Sequence, residues 1–323
     1  MVDSPEKTKT IVELAPLEWL QAGLRDSTVI RVYRALLSTD SLPDTSPCVF
    51  DLALVRAILV KAKINYFDAG KLVPVQDKDG SFEYEIRHGG DRSTAGDWHL
   101  LLLSPYRWDD WSSEAIAWTR VDEATGLLAA INGMRAIYEH VFDNKARLAP
   151  LEVAAASMSV RTPQTLRKPL WNSETLAAIE GAASSIEGLP MNRRGSLQVS
   201  LRWFSESFRA GGVDIFLKRW IAIETLTMPN TRNLKPLIKL LADVYAGESA
   251  RFPRDFGIGR IYGRRCRVVH NGEKAPVLGL LLDYLEAIYT DCLYAIIGMK
   301  SPRRIEEMFT NEASELSGML AQL

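Results

Sequence analysis

Phe256-Gly257-Ile258-Gly259-Arg260-Ile261-Tyr262-Gly263-Arg264-Arg265-Cys266-Arg267-Val268-Val269-His270-Asn271-Gly272 reads as one helix followed by its stop. The helix is predicted over Phe256 to Val269, and Asn271-Gly272 supplies residues that leave helical geometry easily. At about 100° per residue, Ile258, Ile261, Tyr262, Cys266 and Val269 fall on one side, as a core-facing stripe does. Arg260, Arg264 and Arg267 fall on the other side as a cationic ridge. Arg265 lies within the apolar stripe itself, where an unpaired guanidinium would be prohibitively costly. A partner is expected.

The helix predicted over Leu197 to Thr227, with a break at Gly211-Gly212, offers that partner. Leu217, Trp220 and Ile221 define its core stripe, and Glu224 continues the stripe seven residues after Leu217. An Arg265–Glu224 pair is therefore expected inside a helical bundle, either as a register-fixing ion pair or as an orienting contact that leaves guanidinium donors for a phosphate. His270 lies about 140° around the helix from Arg265, so one ideal helix would not bring the two together. Its place in the last turn, where the helix dipole favours a protonated ring, suits a cap or a proton-transfer group.

Outward from these two segments, everything beyond Asn172 reads as helix. The remaining predicted helices are Ser173–Ile186, Asn233–Tyr245 and Val277–Met299, giving five helices in a bundle. Val277–Met299 is the most hydrophobic long segment, yet it carries Asp283, Glu286 and Asp291 and so reads as a core helix rather than a membrane span. The first part reads as mixed α/β. Phe82, Tyr84 and Ile86 alternate with polar residues after an Asp79-Gly80 turn, and Trp98–Leu103 is a continuous apolar strand candidate. A helical pattern runs from Ser112 to about Phe142, with Ser112 or Ser113 as N-cap. Residues 148–171 hold Pro150, Pro163 and Pro169 among Ala and Ser and read as a linker. The expected organisation is α+β: a mixed α/β domain over 1–147, the linker 148–171, and an all-α domain over 172–323.

The 323 residues carry a net charge of −1, and 47% are hydrophobic, which allows a sizeable core. The charge is unevenly divided. Residues 190–323 hold 19 Lys+Arg against 14 Asp+Glu, whereas residues 1–189 hold 20 against 26. Six arginines fall within Arg251–Arg267, opposed only by Asp255. Such a stripe binds phosphates locally, although so neutral a chain is no bulk nucleic-acid coat. Cys48, Cys266 and Cys292 are widely spaced with no zinc-ligand pattern, which suits a reducing cytoplasm. The first ten residues are polar and lack the apolar stretch of a leader.

Other constellations read as structural. Gly257, Gly259 and Gly263 lack the strand before and the Lys-Ser/Thr after that a phosphate loop needs, so close packing is the better reading. His88 and His99, with Asp91 and Asp97, sit beside the strand candidates. His140 reads as a cap at the end of the long N-terminal helix. Trp98, Trp108, Trp111 and Trp118 read as core packing around a strand-to-helix connection rather than as a stacking surface.

The run Arg265-Cys266-Arg267-Val268-Val269-His270-Asn271-Gly272 resembles the RxxxxH signature of the HEPN superfamily. Phe216-Leu217-Lys218-Arg219-Trp220-Ile221-Ala222-Ile223-Glu224-Thr225-Leu226 is similar to the preceding helix of its ApeA-like branch. The resemblance covers roughly Asn172 to Met299. It implies a metal-independent endoribonuclease of phage defence, toxin–antitoxin or RNA-processing type, with no cofactor. It implies a homodimer in which Arg and His groups of two subunits meet, Arg265 stabilising the transition state and His270 transferring protons. Arg260, Arg264 and Arg267 would contact the RNA backbone, and the N-terminal domain would act as sensor, regulator or partner-binding module. The alternative is a catalytically silent HEPN domain that dimerises or binds RNA or a nucleotide-like ligand.

Overall fold

The structure is a computed structural model. It describes residues 28–35, 48–61, 65–68, 71–76, 82–87, 90–93, 98–107, 110–133, 139–146, 171, 173–231, 233–246, 252–253, 255–272 and 277–323. The Asp79-Gly80 turn, His88, Asp97, Trp108 and residues 148–170 of the expected linker lie outside them. The chain is α+β and divides into two compact units, one of Met1–Ala124 and Asn132–Glu180, the other of Thr125–Ile131 and Gly181–Leu323.

The first unit is built on a five-stranded sheet in the order β2-β3-β8-β1-β9, from Cys48–Leu52, Val55–Lys61, Trp98–Pro105, Thr28–Arg34 and Glu139–Ala146. All its pairings are antiparallel. Two further antiparallel pairs are β4 with β7 (Asn65–Asp68, Gly90–Ser93) and β5 with β6 (Lys71–Gln76, Phe82–Arg87). The expected strands at Phe82 and Trp98 are both present. Residues 100–103 of β8 are four leucines, all buried, as a central strand covered on both faces requires.

The helical reading from Ser112 to Phe142 is corrected. Helix α1 covers Trp111–Asn132 and stops at Gly133, whose φ of 80° no helix continues through. Asp110, rather than Ser112 or Ser113, is the N-cap, its carboxylate accepting from the amides of both serines. Residues 139–146 instead form β9, so His140 pairs with Tyr33 in a sheet and caps no helix. Tertiary demand explains the change. Arg31 on β1 is 2% exposed and donates from Nε and Nη2 to Asp143 of β9 and from Nη1 to Asp122 of α1. A buried guanidinium needs those carboxylates, and only an extended 139–146 delivers Asp143 to it. His99 is fully buried within β8. Of the tryptophans, Trp98 and Trp118 are half-buried, and Trp118 lies under Arg31 with its ring centroid 5.6 Å away. Trp111 is 80% exposed and packs in no core.

The second unit is helical. After α2 (Ser173–Glu187), which straddles the division at Gly181, come α3 (Met191–Ser207), α4 (Val213–Thr227), α5 (Lys235–Val244), α6 (Ile258–Asn271), α7 (Gly279–Ile296), α8 (Arg304–Asn311) and α9 (Ala313–Gln322). The break at Gly211-Gly212 separates α3 from α4, Gly212 taking φ 56° as N-cap of α4. Pro302, read as lying just beyond the last helix, precedes two more, α8 and α9. Their amphipathic stripes are short, which hid them.

Helix α7 is the hub. Leu281, Tyr284, Leu285, Ile288, Tyr289, Cys292 and Leu293 are completely buried. Tyr289 stacks on Phe204 of α3 at 4.0 Å, and Ser200 Oγ donates to the Ala222 carbonyl of α4 at 2.7 Å while meeting Tyr289 Oη at 3.0 Å. Asp291, fully buried on the same helix, accepts from Tyr245 Oη at 2.6 Å, Ser301 Oγ at 2.7 Å, and the amides of Arg304 and Ile305 at 2.9 and 3.0 Å. It is the N-terminal cap of α8, supplied from another helix. Burial and then the Asp291 charge push the Tyr245 phenol well above its usual range. No helix among the described residues is long and apolar enough to cross a membrane.

Residues 125–131 of α1 belong to this second unit because the backbones come unusually close. A Cβ on Gly126 would lie 2.2 Å from the Leu201 carbonyl oxygen of α3, and Thr290 of α7 donates to the Ala130 carbonyl at 3.2 Å. Gly126→Ala should therefore destabilise the protein by at least about 1–3 kcal/mol, since backbone rather than side chain must move. Thermal denaturation checks this, and a Tm unchanged from wild type would refute the close contact.

Candidate functional site

Helix α6 is framed by two left-handed glycines. Gly257 is its N-cap at φ 71°, and Gly272 its C-cap at φ 64°, the Gly272 amide bonding back to the Arg267 carbonyl. Asp255 accepts from the amides of Gly257 and Gly259 at 3.1 and 3.0 Å, so a carboxylate sits at the positive end of the helix. The Asn271-Gly272 stop is as read from sequence, and the glycines serve close packing: a Cβ on Gly257 would lie 2.7 Å from Leu320 Cδ2.

The buried stripe of α6 is Ile258, Ile261, Arg264 and Val268. It is turned by about a fifth of a turn from the stripe expected. Tyr262 and Cys266 are half-buried, and Val269 is 48% exposed. Of the expected cationic ridge, Arg260 is exposed and Arg267 half-buried, and Arg264 is the correction. Arg264 is 8% exposed and lies on the buried side. Arg260 and Arg267 flank it, Arg260 Nη1 donating to the Leu320 carbonyl at 2.8 Å and Arg267 Nη2 to the Leu323 main-chain oxygen at 2.5 Å. A helical wheel weights Ile, Val and Cys as core and arginine as surface. Here main-chain oxygens of α9 and Leu323 accept hydrogen bonds from arginines of α6, contacts that a wheel of α6 does not contain.

Arg265 and Glu224 lie at the flank of the bundle, half-buried. They meet across α6 and α4, Arg265 Nη2 lying 3.7 Å from Glu224 Oε2, but both side chains keep about a quarter of their exposure (24% and 27%). The expected partners are thus together, in a solvent-touched rather than a buried pair. Arg265 Nε is shielded and makes no hydrogen bond. Beside them, the Tyr262 hydroxyl is hydrogen-bonded to the Cys266 side chain, which raises its pKa, and the Tyr262 ring lies 6.1 Å from that of Trp220. His270 is exposed in the last turn of α6. The site therefore offers an oriented guanidinium, a tyrosine–cysteine pair, and an imidazole reaching solvent at the helix end. Tyr262 escaped the sequence reading because its position was assigned to the core.

The buried charge of the bundle is a different one. Arg219 of α4 is 2% exposed, with Nη1 bonded to the Leu282 carbonyl and lying 3.6 Å from Glu286 Oε2 of α7. Burial pulls its pKa down, while Glu286 and then Asp283 oppose that pull. Among the described residues, no group of three or more His, Cys, Asp and Glu side chains is placed to hold a metal ion.

These two pairs predict opposite outcomes for equivalent substitutions. Glu224→Gln should cost no more than about 1 kcal/mol, because the pair is partly solvated. Glu286→Gln should cost about 3–5 kcal/mol, because it removes the carboxylate 3.6 Å from the buried Arg219 guanidinium. Urea denaturation of both variants decides, and a larger loss at Glu224 would reverse the assignment.

Compared with protein-family models, with curated proteins and with solved structures, the chain finds no match in any of the three, so the site itself carries the functional argument.

Proposed function

We propose that this protein is a metal-independent endoribonuclease of HEPN type, acting through Arg265 and His270. One observation carries the reading. Both residues of the RxxxxH run reach solvent, Arg265 midway along α6 and His270 in its last turn, and Glu224 of the neighbouring helix engages Arg265 without burying it. A guanidinium and an imidazole kept accessible in this way are disposed toward a ligand rather than consumed by the fold.

The chemistry needs little more. The 2′-hydroxyl of RNA already stands beside the phosphate, so the protein has only to move protons and neutralise developing charge. The 2′-oxygen attacks phosphorus as an imidazole takes its proton. A protonated imidazole gives a proton to the departing 5′-oxygen, and the products are a 2′,3′-cyclic phosphate and a 5′-hydroxyl. Arg265, permanently charged, stabilises the pentavalent anion. One His270 cannot be base and acid at once, so two copies are proposed to meet as a homodimer at this end of α6, where Val269 leaves an apolar side chain 48% exposed beside the histidine. The first unit is the proposed sensor or partner-binding module, and three unpaired cysteines suit a cytoplasmic setting.

Incubated with total RNA and EDTA, the purified protein should produce cyclic-phosphate ends, and DNA should survive. His270→Ala should lower the rate by about 10²-fold or more, and Arg265→Ala by a similar factor. Cleavage that needs magnesium, or that persists in the His270 variant, would refute the mechanism. Light scattering should show a dimer. A folded dimer that binds but cuts no RNA would instead favour the silent reading.

A further inference from the structure

Tyr262, Arg265 and Cys266 stand at i, i+3 and i+4 on α6, and Trp220 and Glu224 at i and i+4 on α4, so each set shares one face of its helix. The two faces meet. Glu224 reaches Arg265 at 3.7 Å, and the Tyr262 and Trp220 rings lie 6.1 Å apart, inclined at 44°. Trp220 is fully buried and Tyr262 half-buried, so the indole backs the phenol from the core side and leaves the rest of it toward solvent. The Tyr262 hydroxyl is hydrogen-bonded to the Cys266 side chain. A ring held at its hydroxyl and supported by an indole keeps one orientation before any ligand arrives, which lowers the ordering cost of binding.

The neighbour of that ring narrows the ligand. Side chains three residues apart on a helix have Cβ atoms about 5–6 Å apart, within the reach of a single nucleotide, whose base and phosphate are joined through one sugar. Arg265, partly exposed and permanently charged, suits the phosphate, and a flat aromatic surface suits the base. We propose that Tyr262 is a stacking platform for a nucleobase adjoining the phosphate held by Arg265, so that the substrate class is unpaired RNA. The inference rests on the RNA-cleaving reading above and adds what that reading lacks, a contact to a base. Every base has a π-face, so the platform demands no particular sequence. It does favour single strands over duplexes, whose bases are already stacked on one another.

The probe is a 2′-O-methyl oligouridylate, which the proposed chemistry cannot cut, set against an all-abasic strand of the same length and charge. The wild-type chain should bind the base-bearing strand about tenfold more tightly, within the range for stacking one base on an aromatic side chain. Annealed to its complement, the same probe should bind more weakly than as a single strand. Tyr262→Phe, which keeps the ring, should retain the preference for bases. Tyr262→Leu should lose it while binding the abasic strand as the wild type does. In the wild-type chain, a probe carrying 5-iodouracil should crosslink to Tyr262 under ultraviolet light, a measurement that stands even if the leucine variant fails to fold. Equal binding of the base-bearing and abasic strands by the wild type would overturn the platform, as would an undiminished preference in a folded Tyr262→Leu chain. So would a duplex bound as tightly as the single strand, crosslinks confined to other residues, a phenylalanine variant as impaired as the leucine one, or no binding of either strand. Because the probe has no free 2′-hydroxyl, failure here leaves cleavage by Arg265 and His270 to its own assay with unmodified RNA.

Discussion

The arrangement of the helical unit depends on one buried carboxylate. Asp291 sits in the middle of the most enclosed helix and would be unaffordable there without partners. It has four, and two of them are the first amides of α8. That bond set fixes where the chain re-enters helix after Pro302, with Arg303 held in a left-handed turn and its guanidinium 5.1 Å from the centre of the Tyr245 ring. From this start, α8 and α9 follow in close succession. The last turn of α9 then meets α6, the Leu320 carbonyl accepting from Arg260 and the Leu323 main-chain oxygen from Arg267. On α6, Tyr262 and Arg265 lie beside Glu224, and His270 is exposed in the last turn.

Charge is sorted in this protein by what each helix end or neighbour needs. Arg31, Arg219 and Arg264 are buried, yet they serve different ends. Arg31 ties β1 to β9 and α1 through two carboxylates, Arg219 ties α4 to α7, and Arg264 lies on the buried stripe of α6. Arg265 is the contrasting case. Its carboxylate partner is partly solvated, so the pair gives orientation at little cost in desolvation, the condition a group must meet if it is also to bind an anion.

The sequence by itself determined the α+β class, the strands at Phe82 and Trp98, the core character of the 277–299 segment, the Gly211-Gly212 break and the Asn271-Gly272 stop. It also determined that Arg265 and Glu224 would be neighbours. These follow from short-range rules: period-two alternation, apolar content, glycine at helix ends, and opposite charges expected beside the core stripes of two helices. Only the tertiary structure decided the rest. The orientation of α6, with Arg264 on its buried stripe, depends on how α6 packs among its neighbours, which no wheel drawn on α6 alone contains. The strand at 139–146 came from Arg31, which needed Asp143 across a sheet, although its local pattern is compatible with helix. The demand for glycine at position 126 comes from the Leu201 backbone of α3, which nothing local to α1 contains. In each case a buried polar group or a backbone contact from a distant segment outweighed the local preference, because leaving such a group unpaired costs more than any single residue's propensity supplies.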